Sequence, residues 1–143
     1  MKVSIAADHA GFGFKELIKS NLLKKGFEVI DHGTFSAESV DYPDFIKLAA
    51  IDVSQRVSDA GIGVCGSGIG VSIVANKFKG VKAALVFNKE MAVLSRKHNK
   101  SNFLALGERF LNKEDLLEIV DVWLNTEFEG GRHERRVDKI EYL

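Results

Sequence analysis

The sequence contains a single cysteine and a single proline among its 143 residues. One cysteine excludes a disulfide within the chain, which suits a reducing compartment, and we expect a cytoplasmic protein. So little proline, with no low-complexity tract, argues against a disordered chain. The composition favours one folded domain over residues 1–143.

The chain also lacks an excess of charge of either sign, with 20 Lys and Arg against 20 Asp and Glu. Proteins that bind nucleic acids or anionic membranes usually carry a clear excess of basic residues, so neither is expected as a partner. No apolar run approaches the ~18 residues of a membrane span. The first residues show no signal-peptide pattern, and we expect a soluble protein.

Short apolar runs alternate along the chain with longer amphipathic segments. The short runs predict five strands, over residues 3–7, 27–31, 62–65, 83–87 and 102–106. Helical spacing of apolar residues follows each of them. Five such alternations predict a three-layer α/β/α fold of the Rossmann-like type, with a five-stranded parallel sheet and helices on both faces.

Several helix ends carry their own signals. Pro43 suits a first helical turn, and Asn88 and Asn112 are suitable N-caps. After Gly130-Gly131 the tail places Val137, Ile140 and Leu143 at helical spacing. We expect this tail to be helical and to dock on a partner subunit.

In an open parallel sheet, ligands bind beyond the carboxyl ends of the strands. Reactive residue types follow three of these ends: Asp8 and His9, Cys65 with its glycines, and Gly107-Glu108-Arg109. His98 and Asn99 end the helix before the fifth strand. We expect them to reach the same edge.

The glycine-rich run Gly66-Ser67-Gly68-Ile69-Gly70 matches no phosphate-loop motif. A dinucleotide fingerprint would follow the first strand. A P-loop would need a lysine where Val71 stands, and a cysteine phosphatase loop would need an arginine there. Cys65 is therefore either a reactive thiol at a helix N-terminus or a small buried core residue.

The other candidates have two interpretations each when taken singly. His9 and His98 are either functional or surface histidines, Asp8 could only cap the next helix, and Tyr42 could only pack. Arg132 and Arg136 stand four residues apart. They could bracket a phosphate from one helical face or be surface cations.

Taken together, these residues occur in a series of spaced motifs. The motifs are Ala7-Asp8-His9-Ala10-Gly11-Phe12, Asp41-Tyr42-Pro43, residues 63–70, Ala75-Asn76-Lys77, Leu94 to Asn99, Leu106 to Arg109, and Phe128 to His133 with Arg136. Over nearly its whole length the chain resembles the sugar-phosphate isomerase family that contains ribose-5-phosphate isomerase B and the galactose-6-phosphate isomerase subunits.

The resemblance implies interconversion of ribose 5-phosphate and ribulose 5-phosphate in the pentose phosphate pathway, without a metal or cofactor. It implies a homodimer, sometimes paired further, whose active sites use both subunits. Cys65 matches the family's base, His98 the residue that opens the sugar ring, and Ser67 a nearby hydroxyl. The substrate contacts implied are the N–H groups of Gly66, Ser67, Gly68, Ile69 and Gly70, with Asp8, His9, Tyr42, Asn99, Arg109, Arg132 and Arg136.

Two alternatives to that activity stay open at the level of sequence. The substrate could be a six-carbon sugar phosphate, such as allose 6-phosphate or galactose 6-phosphate. The chain could also be a sugar-phosphate sensor without catalysis, although a sensor has no need of a reactive thiol. Arg135 beside Arg136 leaves open which of the two contacts phosphate.

Overall fold

The computed structural model describes all residues from 1 to 143, which form five strands and six helices. The strands are β1 (Lys2–Ala7), β2 (Glu28–Asp31), β3 (Ala60–Cys65), β4 (Ala83–Leu85) and β5 (Phe103–Gly107). The helices are α1 (Phe12–Lys24), α2 (Tyr42–Ser54), α3 (Ile69–Ala75), α4 (Lys89–Lys97), α5 (Lys113–Asn125) and α6 (Arg132–Glu141). No helix combines the length and the apolar character needed to cross a membrane.

All strand pairs are parallel, in the order β2-β1-β3-β5-β4. The register pairs Ala7 with Val64 and Cys65 with Gly107, so three neighbouring strands end at nearly the same level. The loops after β1, β3 and β5 therefore meet at one edge of the sheet, which we call the thiol edge.

Side chains of each strand alternate between two apolar layers, as the pleat requires. Val3 and Ile5 of β1 pack against α1 and α5 on one face, in a cluster centred on Trp123. Ala6 and Cys65 point to the other face, where α2 and α3 cover them. The predicted three-layer architecture is confirmed.

Two glycines in β3 leave space for side chains that pack on one face of the sheet, and one of these side chains belongs to α3. A methyl group at Gly61 would collide with the ring of Phe103, and one at Gly63 would collide with Val71 of α3. Phe103 and Val71 are fully buried, so neither can give way cheaply. These glycines set the position from which α3 and the preceding loop start.

The predicted helix signals act as expected. The side chains of Asn88 and Asn112 accept the N–H groups of Met91 and Asp115, both at 2.8 Å, and Pro43 lies in the first turn of α2. β4 ends at Leu85 rather than at the predicted residue 87, because the chain there turns away toward the Asn88 cap.

The tail forms a helix, α6, that packs first of all on its own chain. Val137 is 3% exposed, and Glu141 forms an ion pair with Lys82 at the start of β4. Ile140 and Leu143 remain exposed. Docking of this helix on a partner subunit stays a prediction.

A buried ion pair joins α1 to the end of β2. The Nζ of Lys15, whose side chain is fully buried, lies 2.8 and 2.7 Å from the two carboxylate oxygens of Asp31. Burial alone would raise the pKa of Asp31. Hydrogen bonds from Lys15, the N–H of Gly33 and Lys19 outweigh it and lower that pKa.

We expect Lys15→Met to destabilise the fold by about 3–5 kcal/mol, because it leaves a buried carboxylate without its main partner. Urea unfolding at neutral pH measures the free energy change. Lys19→Met is the matched control, since Lys19 contacts the same carboxylate at 3.1 Å from a partly exposed position. A change at Lys15 no larger than at Lys19 would contradict the assignment.

Candidate active site

The thiol of Cys65 stands at the end of β3, directly before the turn that starts α3. Its Sγ accepts the N–H of Gly68 at 3.2 Å, and Ser67 Oγ accepts the N–H of Ile69 at 3.2 Å. Gly68 adopts a φ of +78°, a conformation that favours glycine. Cys65 is 6% exposed, so it belongs to the core face of β3 and also reaches the surface at this turn.

Several amides of this turn are free to bind an anion. The N–H groups of Gly66, Ser67 and Gly70 donate to no backbone acceptor in the chain. Together with the N–H that faces the sulfur, they form a cluster of donors around the start of a helix. The arrangement suits stabilisation of a negative charge that develops beside Cys65.

Two larger side chains border the glycine turn and depend on its lack of side chains. The guanidinium of Arg109 lies over Gly66, so that a Cβ there would stand 3.1 Å from its central carbon. The ring of Tyr42 lies over Gly70 in the same way. Both predicted contact residues therefore reach the thiol edge.

Asp8 and His9 lie at the same edge, after β1. The N–H of Asp8 donates to the carbonyl of Val64, next to Cys65, and Asp8 Oδ1 accepts the N–H groups of Ala10 and Gly11. Asp8 thus shapes the turn before α1. His9 is exposed, and its Nδ1 accepts the N–H of Val40 at 3.2 Å, which ties it to the loop before α2.

Glu108 is a further carboxyl at this edge to which the sequence analysis gave no role. Its Oε1 accepts the N–H of Phe14 at 2.7 Å, so it caps α1 from the end of β5. Burial raises the pKa of Glu108, the charge of Asp8 adds to this, and the Phe14 hydrogen bond opposes it.

The expectation that His98 and Asn99 reach the thiol edge is wrong for a single chain. α4 connects two parallel strands, so it runs back across the sheet and ends at the opposite edge. Asn99 lines a cavity of about 780 Å³ together with residues 76–83, which lead into β4. The nine residues of α4 extend about 13 Å along the helix axis. His98 follows the last of them, so it lies about that far from the level at which α4 starts.

His98 instead belongs to a cluster at the junction of α4 and α6. Its ring stacks on that of His133, with centroids 4.1 Å apart. The carboxylate of Glu129 lies close to both rings: its Oε2 is 3.9 Å from His98 Nε2, and its Oε1 is 3.8 Å from His133 Nε2. Burial lowers the pKa of His133, and the neighbouring charges of His98, Arg132 and Arg136 lower it further, whereas Glu129 opposes them.

Half-buried Arg96 holds the end of α4 in place beside this cluster. Its guanidinium donates to the carbonyls of Thr126 and Ser101 and lies 5.0 Å from the ring of Trp123. Burial lowers the pKa of Arg96. The end of α4 is therefore a rigid platform for His98.

The structure thus divides the predicted site residues into two groups. The thiol edge carries Asp8, His9, Tyr42, Cys65, Gly66, Ser67, Gly68, Ile69, Gly70 and Arg109. The opposite edge carries His98, Asn99, Arg132 and Arg136, which we call the histidine edge together with Glu129 and His133. Glu129 and His133 were not predicted as site residues, although their i, i+4 spacing was a usable signal.

Comparison with known proteins gives the context for these two edges. The model of the family described as Ribose/Galactose Isomerase matches residues 3–140. Ribose-5-phosphate isomerase B of Escherichia coli strain K12 is 45% identical over 139 residues, which cover 97% of this chain and 93% of the relative.

Solved structures agree in fold along the entire chain. Ribose-5-phosphate isomerase B of Clostridium thermocellum superposes with a TM-score of 0.97 at 51% identity, covering 99% of this chain and 96% of that one. The enzyme of Mycoplasma genitalium with bound ribulose-5-phosphate gives a TM-score of 0.95 at 44% identity, with 99% and 94% covered. The chain therefore belongs to the ribose/galactose isomerase family.

Proposed function

We propose that this protein is an aldose–ketose isomerase that interconverts ribose 5-phosphate and ribulose 5-phosphate. The observation that carries the proposal is the Cys65 thiol among the free amides of the glycine turn, which is the arrangement that proton transfer beside a carbonyl requires. A related structure with ribulose-5-phosphate bound favours the five-carbon substrate over a six-carbon one. The free thiol suits the reducing cytoplasm.

In the proposed reaction, the thiolate of Cys65 removes the proton from C2 of the open-chain aldose and returns it to C1. The electron pair left by the proton passes to the carbonyl oxygen O1, which gives an enediolate. The hydroxyl proton then moves from O2 to O1, so that the C2 carbonyl forms as C1 takes up the returned proton. The N–H groups of Gly66, Ser67 and Gly70 stabilise this anion, at about 3 kcal/mol for each well-aligned donor. The Ser67 hydroxyl lies beside them, since its oxygen accepts the N–H of Ile69.

Ring opening needs a group that moves a proton between two sugar oxygens, and His98 suits it because imidazole titrates near neutral pH. Asn99 would bind the intermediate, and Arg132 with Arg136 would hold the phosphate. These two arginines lie one turn apart on α6. Asp8, His9, Tyr42 and Arg109 would position the sugar at the thiol edge.

His98 and Cys65 can serve one substrate only if they come from two copies of the chain. We therefore propose a homodimer in which the histidine edge of one subunit completes the thiol edge of the other. Exposed apolar side chains support this proposal. Ile69 and Ile73 of α3 are 53% and 57% exposed, directly beside the glycine turn. A partner that covers them comes into contact with the site.

Cys65→Ala should lower kcat by about 10²- to 10⁴-fold, which is the usual contribution of general acid–base catalysis. The Michaelis constant should change little, because only the transition state loses an interaction. Steady-state kinetics with ribose 5-phosphate measures both, and circular dichroism checks the fold. An unchanged kcat would exclude Cys65 as the base, whereas substrate binding without any turnover in the wild-type protein would favour the sensor interpretation.

A mixture of two inactive variants tests the shared site. Cys65→Ala and His98→Gln should each be nearly inactive alone. After subunit exchange, each heterodimer has one intact site, and an equal mixture should recover about one quarter of wild-type activity. No recovery, with exchange verified by mass spectrometry of differently tagged subunits, would show that each chain works alone.

Arg136→Ala should raise the Michaelis constant for ribose 5-phosphate at least about tenfold, because charged hydrogen bonds to a buried phosphate contribute about 1.5–3 kcal/mol. Arg135→Ala is the matched control, one residue away and equally exposed. Equal effects of the two substitutions would mean that both arginines attract the substrate only through their charge, without a specific contact between Arg136 and the phosphate. A larger effect at Arg135 would reassign the phosphate contact.

A further inference from the structure

The side chains of His98, Glu129 and His133 converge at the junction of α4 and α6. One nitrogen or oxygen atom from each lies within 4.8 Å of the other two. Two imidazoles and one carboxylate are the ligands of zinc sites that keep a fourth position open. We propose that these three residues bind a Zn²⁺ ion.

A nitrogen without a hydrogen-bond partner supports the site independently of the spacing. His133 is 7% exposed, and its Nε2 is the one buried side-chain polar atom in the chain that has no partner. Glu129 Oε1 lies 3.8 Å from this nitrogen, too distant for a hydrogen bond. Buried polar atoms are nearly always satisfied, and a metal ion at this point would satisfy Nε2.

To bind zinc, the three ligand atoms must move closer together and one imidazole ring must turn. Tetrahedral zinc with bonds near 2.1 Å places its ligand atoms about 3.4 Å apart. The rings of His98 and His133 are nearly parallel at 11°, so one of them must turn for both nitrogens to face one ion. His98 can turn because its side chain is 37% exposed, as can Glu129, which is 55% exposed.

The backbone positions of the three ligands are fixed by hydrogen bonds. The N–H of Glu129 donates to the carbonyl of Lys97, the residue before His98, and the N–H of His98 donates to Leu94. Gly130 and Gly131 have φ values of +72° and +58°, which turn the chain back so that Glu129 faces His133. A ligand set held on anchored backbone loses little conformational entropy on binding.

Local charge limits the affinity of this site. Arg132 and Arg136 lie close enough to His133 to disfavour its protonation, and they repel a metal ion in the same way. Glu129 is the one anionic ligand that offsets them. The site is therefore expected to fill and empty with the zinc concentration, unlike a permanent structural site.

The consequence for activity rests on the proposed function, in which His98 opens the sugar ring. A zinc ion bound to the His98 nitrogen occupies the lone pair that must accept the proton. Zinc should therefore inhibit the isomerase reversibly, and a chelator should restore the activity.

The binding test is calorimetric titration of Zn²⁺ in chelator-free buffer. A Cys65→Ser background removes the thiol, which would itself bind zinc. We expect one ion per chain, and visible absorption typical of tetrahedral coordination when Co²⁺ replaces zinc. Glu129→Gln should weaken zinc binding by at least 10- to 100-fold. Loss of a residue that only supports a metal ligand already has an effect of this size, and Glu129 is proposed as a ligand itself.

Glu127→Gln is the matched control, because Glu127 is exposed in the same segment and lies outside the cluster. Zinc bound equally by the Glu129→Gln and Glu127→Gln variants, or not bound at all, overturns the site. If zinc inhibits the chains with and without Glu129→Gln equally, the proposed inhibition through this site is overturned, whereas the metal site itself is not. If the chain fails to isomerise ribose 5-phosphate, the proposed function fails and calorimetry still decides the metal site.

Discussion

A parallel sheet constrains where the two ends of every connection can lie. Each strand must be followed by a segment that returns to the edge at which the next strand starts. Loops after strands and ends of crossover helices therefore occupy opposite edges, separated here by the five residues of β5, or about 16 Å. Cys65 ends a strand, whereas His98 ends a helix. The spacing of strands and helices thus separates the proposed base from the proposed ring-opening residue, and only a second chain can bring them together.

The glycine turn depends on the packing beneath it. Gly61 leaves space on one face of β3 for the ring of Phe103, and Gly63 leaves space for the side chain of Val71, which brings α3 close to the sheet. The backbone of Gly68 then lies against Leu106 and Gly107, and Ser67 lies against Gly107. Amides held by such close-packed backbone need no reorganisation when negative charge develops, which is the condition for strong electrostatic stabilisation.

Local signals in the sequence were enough to predict the elements and the thiol edge. Asn88, Asn112 and Pro43 identify helix starts through their own hydrogen bonds or fixed φ, so one position carries the information. Cys65 could be located because it ends a buried apolar run. The position of His98 also follows from the predicted parallel sheet, because a helix that leads into a parallel strand ends at the edge where that strand starts; the expectation for His98 did not apply this constraint. The partners Glu129 and His133 are found only once α4 and α6 meet in space.

The two proposals place ligands of opposite charge at the histidine edge. We propose that Arg132 and Arg136 hold the phosphate dianion; after burial, which is the main cause, their charges also lower the pKa of His133. Glu129 reduces the net positive charge that the substrate meets, so its presence cannot be explained by phosphate binding. A cation bound between His98, Glu129 and His133 would account for this carboxylate. The histidine edge is therefore better suited to alternate between a sugar phosphate and a metal ion than to bind either one permanently.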